Sequence, residues 1–266
     1  MLDVGHQEAT VLPVYEGVPI LSSWQAHNSA GHAVQEAVKA DLICRGKVAS
    51  DTSDDASKDI GDYVDSITDE LVRDITLKCC FITNITRGKQ LQEMMESKSD
   101  TENKISNPAP VVKYPLSGAM FLRVDGVTRE GCAELLWSFD NDCISVASII
   151  LEAISCSPVD CRKQLADNLI IIGGTSMMKG FYSRLNQELL SLLATPKYEH
   201  LKISNFKCHK LPGKANYSAW LGGAIFGATD VVITRSLTRE QYLKDHEVPD
   251  WSNLKFNSVT ASAAQG

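Results

Sequence analysis

The stretch Leu169–Leu193, LIIIGGTSMMKGFYSRLNQELLSLL, constrains this chain more than any other. Leu169 to Ile172 form a short apolar run that reads as a strand. It leads straight into Gly173-Gly174-Thr175-Ser176, where missing Cβ atoms let other groups approach the backbone. Beyond the turn, Phe181, Leu185, Leu189 and Leu192 recur at helical spacing. The unit is therefore strand, glycine turn, helix, the building block of an α/β layer. Its free backbone N–H groups could cradle a phosphate or the edge of a sugar. Taken alone the motif is weak, because two glycines between a strand and a helix more often serve packing than nucleotide binding.

The 266 residues suffice for one large domain or two modest ones. A net charge of −7 works against nucleic acid or an anionic membrane as the main partner, since the phosphate contribution is repulsive. The 8 cysteines include no CxxC pair, so reduced, buried thiols in a cytoplasmic protein are expected. No signal peptide or membrane span is expected: the apolar run Ala219–Ile233 is short of about 20 residues and is broken by Asp230.

In chain order, Met1–Gly17 reads as a hairpin, with Asp3-Val4-Gly5-His6 as a tight turn or strand end and Ala9–Tyr15 returning from it. Val18–Trp24 reads as a further extended run and His32–Ile43 as a helix with Val34, Val38 and Leu42 on one face. The acidic, serine-rich Ala49–Glu70 is expected to be a solvated loop leading into an amphipathic helix that ends at Cys79-Cys80; the residue order of a calcium loop is missing. Ser97–Pro110 is a polar, breaker-rich loop. Val111–Leu116 and Ala119–Val124 read as strands, Gly131–Phe139 as a short helix, and Ile144–Ile154 as a helix buried all round. Asp160 is the expected cap of a helix over Cys161–Ala166, and a longer helix spans Lys214–Ala228. Thr238 to Gln241 matches a capping box, and the tail after Trp251 is low in complexity.

Catalytic motifs are missing. No nucleophile–base pair, His/Cys metal cluster, Walker loop, GxSxG or HExxH occurs. His27 and His32 are five apart, a spacing that does not put two imidazoles on one helix face, so no metal site is expected. Asp140 and Asp142 read as solvated turn residues rather than an acid–base pair.

Several stretches, in order, resemble the actin superfamily: LDVGHQEATVLPVYEG its second phosphate hairpin, ELVRDITLKCCF the helix leading into its nucleotide cleft, and CRKQLADNLIIIGGTSMMKGF its adenosine-contacting strand and turn. NYSAWLGGAIFGA and SLTREQY resemble its C-terminal tryptophan–glycine helix and the capped helix that follows. Ordered motifs over most of a chain are far more specific than any one of them. The resemblance implies an α/β, actin-like (ribonuclease-H-like) fold, represented by its C-terminal half with an inserted helical lobe. On that reading residues 1–31 and 143–228 form the α/β core layer, 32–142 the inserted lobe, and 229–266 a C-terminal segment that returns to the first half. Nothing here corresponds to that first half, so the chain is expected to be a fragment, an isoform or a truncated product, poorly soluble alone.

The resemblance also implies a vestigial nucleotide site at Asp3, Gly5, Gly173, Gly174, Thr175 and Met177. Elsewhere the cleft pattern is eroded: His6 stands where the family has a second aspartate, Gln7 where it has a glycine, Thr76-Leu77 where it has Lys-Glu, and Asn216 where a lysine lies beside the adenine. Losing charged donors removes what would hold a polyanionic nucleotide. The implied protein is not an enzyme and uses no cofactor, ATP or ADP binding weakly or not at all. The wording of the C-terminal motifs is closest to the actin-related branch at the pointed end of dynactin, which implies other dynactin subunits as partners, a cytoplasmic and cytoskeletal location, and a part in dynein-driven movement on microtubules. The alternative is an ATP-binding actin-like or sugar-kinase-like enzyme.

Overall fold

Alternating buried and half-exposed side chains mark the first strands. Leu2 and Val4 face the core from β1 (Leu2–Val4), as do Ala9 and Val11 from β2 (Ala9–Val11). The computed structural model describes residues 1–50, 53–59, 63, 66–96, 106–117 and 120–249. The single strand expected over Ala9–Tyr15 is interrupted, because Pro13 has no N–H for the ladder; β3 (Val14–Tyr15) instead pairs only with β4 (Val18–Pro19). The extended run expected to Trp24 likewise stops at Pro19 and turns into one turn of 3-10 helix at Leu21–Ser23. After β5 (Gln25–His27) comes α1 (Gly31–Arg45), with Val34, Val38 and Leu42 buried four residues apart.

A separate antiparallel sheet follows, in the order β7-β6-β9-β8. β6 (Lys47–Ser50) pairs with β7 (Ser53–Asp59), which lies inside the acidic stretch expected to be loop. The correction has a simple cause: β7 is an edge strand, paired on one side only, and such strands tolerate charge. In α2 (Asp69–Cys79) the Thr68 hydroxyl accepts the Leu71 N–H at 3.3 Å, Asp69 and Glu70 occupy the first turn, and Lys78 the last. α3 (Ile85–Glu96) is followed by β8 (Val112–Ser117) and β9 (Met120–Val124), which form a hairpin. Helix α4 (Gly126–Gly131) lies ahead of the expected Gly131–Phe139, because Asp125 caps it by accepting the Thr128 N–H at 2.7 Å; the expected span holds only a 3-10 turn, Glu134–Leu136. Residues 97–105 of the expected polar loop and the tail from residue 250 lie outside the described residues.

The chain then enters α5 (Ser148–Cys156), where Ser145 and Ser148 exchange N–H-to-hydroxyl bonds of 2.8 and 3.2 Å and Ile149, Ile150, Leu151, Ala153 and Ile154 are buried. α6 (Val159–Asp167) starts behind Pro158; Asp160 sits in its first turn and supplies no side-chain cap. β10 (Leu169–Ile172), α7 (Phe181–Leu193) and β11 (Cys208–His209) complete a five-stranded mixed sheet ordered β11-β10-β1-β2-β5. β1 and β10 run parallel with Asp3 beside Ile172, while β2 is antiparallel to both β1 and β5. Leu169, Ile171 and Ile172 are buried, but Ile170 is 37% exposed, so the face that Ile170 shares with Ile172 is covered only at the Ile172 end. Each large apolar side chain buried this way contributes roughly 1.5–3 kcal/mol.

One polar side chain is as deeply buried as these. Arg184 on α7 is 1% exposed and holds Glu134 with two nitrogens, at 2.9 and 2.7 Å. Its Nε reaches Glu188 at 2.7 Å, and Nη1 also donates to the carbonyls of Thr83 and Asn84 at 3.2 and 3.3 Å. The guanidinium lies 5.5 Å from the Trp137 ring centre. Burial pushes the Glu134 carboxyl up against the pull of Arg184, whose own charge is kept by Glu134 and Glu188 although burial opposes it. This clamp joins α7 to the segment that links α2 and α3.

Contacts divide the chain into Met1–Ser218 and Ala219–Gly266. The second unit holds most of α8 (Ser218–Gly227), then α9 (Val231–Arg235) and α10 (Arg239–Asp245). The expected helix from Lys214 begins as a 3-10 turn, Ala215–Tyr217, and continues as α8. The capping box at Thr238 and Gln241 is formed as expected, with bonds of 3.0 and 3.2 Å.

Candidate functional site

Three segments distant in sequence meet at the ends of β1 and β10. β1 turns at Gly5, whose N–H closes the hairpin on the Glu8 carbonyl at 3.1 Å. β10 turns at Gly173, with φ of 92°, where a Cβ would stand 2.3 Å from the Val4 carbonyl oxygen and 2.5 Å from an Asp3 carboxylate oxygen. Only glycine satisfies both the dihedral and the approach. The third segment is the start of α1, where a Cβ on Gly31 would fall 2.5 Å from the Thr175 hydroxyl.

Hydrogen bonds lock the segments together. The Gly5 carbonyl accepts the Thr175 hydroxyl at 2.7 Å and the Gly31 N–H at 3.2 Å. The His32 N–H donates to the His6 carbonyl at 2.6 Å, so the first two N–H groups of α1 are engaged by the hairpin turn. A helix N-terminus with those groups occupied has less to offer an anion. Gly173 donates to Ala215 at 3.1 Å, and the Ser176 hydroxyl returns to the Gly173 carbonyl at 2.8 Å.

Asp3, Gly5, Gly173, Gly174 and Thr175 thus lie at one junction, with Met177, half exposed, closing the short 3-10 turn Thr175–Met177. Gly174 is the open one: a Cβ there would meet nothing nearer than the Asn216 Cβ at 3.9 Å. Asp3 is half-buried, and burial, with help from the Glu8 charge, pushes its carboxyl above the ordinary range. Of the eroded positions, His6 and Gln7 are exposed on the hairpin turn. Thr76 is buried in α2 with its hydroxyl on the Val72 carbonyl at 2.8 Å, and Leu77 is 62% exposed. Among the described residues no lysine or arginine forms a salt bridge with the acids at the junction, Asp3 and Glu8.

Two features escaped the sequence. The rings of His6 and His32 lie 5.3 Å apart, brought together by the hairpin and α1 across 26 residues that no local spacing rule connects. The Arg184 clamp escaped too, although an arginine next to Leu185 on the apolar face of a helix was a usable sign. Among the described residues no group of three or more His, Cys, Asp or Glu side chains could hold a metal, and no helix is long and apolar enough to cross a membrane. The expectation of buried thiols holds for Cys79, Cys80, Cys132 and Cys161 but not for Cys44, Cys143, Cys156 and Cys208, which are exposed; burial pushes Cys80 up to about 12, far from reactive. A cavity of about 390 Å³, lined mostly by apolar side chains of β2, α5, α6 and β10, lies away from the junction.

Comparison with known proteins agrees with this architecture. The chain is 25% identical to "Actin-related protein 10" of Dictyostelium discoideum, over 99% of its own length and 61% of that protein. It is 26% identical to an "Actin-like protein" of Neurospora crassa (96% of this chain, 59% of the relative) and 24% identical to "Centractin" of Schizosaccharomyces pombe (93% and 57%). The chain therefore spans about three-fifths of the length of these relatives. The sequence pattern of the actin family matches residues 1–247. With its mixed sheet, glycine turn and flanking helices, this chain belongs to the actin family.

Proposed function

We propose that this chain is a non-catalytic actin-related subunit of dynactin, placed at the pointed end of the actin-like minifilament and supporting dynein-driven transport on microtubules. The observation that carries the non-catalytic part is at Gly5, where the Thr175 hydroxyl and the Gly31 N–H converge on one carbonyl. Groups that could hold a phosphate instead hold the fold, and the acids beside them repel one. The assembly part is supported by relatives named actin-related protein 10 and centractin, and by the wording of the C-terminal motifs. On this reading the partners are other dynactin subunits, the location is cytoplasmic and cytoskeletal, and ATP or ADP is not required. Residues 1–31 with 143–228 form the core layer, 32–142 the inserted lobe, and 229–266 a segment that engages a further part of the fold. Support for that division comes from the five-stranded sheet, whose strands all lie in the first part, and the four-stranded sheet, whose strands all lie in the second.

The second reading, an ATP-binding enzyme, is favoured by one observation, the open approach to Gly174. Affinity purification of the tagged chain from its own cells separates the two. Dynactin subunits in stoichiometric amount support the first reading; a chain that recovers none of them and turns over ATP refutes it.

A further inference from the structure

We propose that His6 and His32 form a two-imidazole site for a divalent transition-metal ion of the zinc type. The ring centroids are 5.3 Å apart with the planes at 41°, neither stacked nor edge-on. Two imidazoles sharing one tetrahedral ion have their centroids about 5 Å apart, since each metal–nitrogen bond is about 2.0–2.1 Å. The observed separation of the ring centres matches that spacing.

The mounting of the rings favours binding. His6 is held on a hairpin turn closed by the Gly5–Glu8 bond, and His32 on the first turn of a 15-residue helix. The two backbones are joined directly by the 2.6 Å bond from the His32 N–H to the His6 carbonyl. Neither ring must be drawn in from a distant segment, so ordering the pair costs the rotamer freedom of two exposed side chains but no loop closure. Both residues are exposed, leaving the outer positions of the ion to water.

Asp69, bonded to Lys39 at 2.7 Å, lies within electrostatic reach of His32. Imidazole donors select zinc, nickel or copper over magnesium or calcium. Among the described residues no set of three ligands exists, so the site is a two-donor one of micromolar rather than nanomolar strength. The ion would brace the hairpin turn against α1, and it needs no partner protein to do so.

The test is a calorimetric titration of Zn²⁺ into the purified chain under a non-chelating reductant, beside His6→Ala and His32→Ala. Both residues are exposed, so the variants should fold, which circular dichroism checks. One-to-one saturable binding is expected, weakened at least tenfold by either substitution. In ring-proton NMR spectra His6 and His32 should shift together, while His27, His200, His209 and His246 stay in place. Equal binding in both variants would overturn the proposal and assign the zinc to the exposed thiols Cys44, Cys143, Cys156 and Cys208. The absence of saturable binding below about 100 µM would overturn it as well.

Discussion

The glycine-turn junction and the Arg184 clamp both tie distant segments together, with opposite chemistry. At the junction the bonds run between neutral groups, Thr175 to Gly5, Gly31 to Gly5 and His32 to His6, near the surface. At the clamp, charged groups about 1% exposed meet in bidentate geometry, and the arginine also takes two backbone carbonyls. A neutral junction loses little when one bond goes, because water can replace it. A buried charge has no such substitute, so losing its partner leaves it stranded. The place that looks like a ligand site is thus mechanically the softer of the two, and the place without a ligand is the rigid one.

The largest expected effect follows from stranding a charge. Arg184→Met leaves the Glu134 charge buried without its counter-ion, with only the neutral donors Thr83 and Gln92 at 3.2 and 3.3 Å, and should destabilise the chain by about 3–5 kcal/mol in denaturant unfolding. Adding Glu134→Leu should recover much of that loss; a double variant as unstable as the sum of the singles would mean the two residues do not act as a pair. Next is Gly173→Ala, where a positive φ and a 2.3 Å approach to Val4 combine; about 2–3 kcal/mol should be lost and the hairpin displaced. A neutral outcome would show that the turn is not held as described.

Thr175→Val removes one of the two donors on the Gly5 carbonyl. Gly31 remains, so about 1 kcal/mol is expected, several-fold less than at the clamp. Smallest is Asp3→Asn. An acid with a native pKa above its unfolded value of about 3.9 binds more protons when folded, so stability falls as pH rises from there through the native value. The charge penalty is then complete at neutral pH, and its removal should stabilise the chain by a few tenths of a kcal/mol, discounted because Asp3 is only half-buried. Urea midpoints between pH 3 and pH 7 check the sign: the variant's advantage over the parent should be smallest at pH 3 and grow as pH rises.

The contrast also shows which features a sequence reveals. Leu169–Ile172, the turn after it and the helix from Phe181 were legible because each is specified by its own residues, an apolar run, glycines, and leucines at helical spacing. β7 was not legible, because an edge strand needs no alternating apolar pattern and Ser53–Asp59 shows none. α4 starts earlier than the apolar pattern suggests because its start is set by Asp125, a polar cap that lies outside that pattern. At the junction the six residues Asp3, Gly5, Gly173, Gly174, Thr175 and Met177 could be named only through the family resemblance, not from spacing alone. That Thr175 and Gly31 share one carbonyl could not be named at all, since the partners are 170 and 26 residues from Gly5 and are brought together by the β1–β10 pairing on one side and the β1–β2–β5 pairing on the other.

Equilibrium titration of Mg-ATP against the purified chain tests the central claim, that the junction serves as a staple and not as a nucleotide site. No saturable signal at micromolar ATP is predicted, for the parent and for Thr175→Val alike. A micromolar dissociation constant that Thr175→Val weakens tenfold would contradict the claim and return the turn to the role of a nucleotide site.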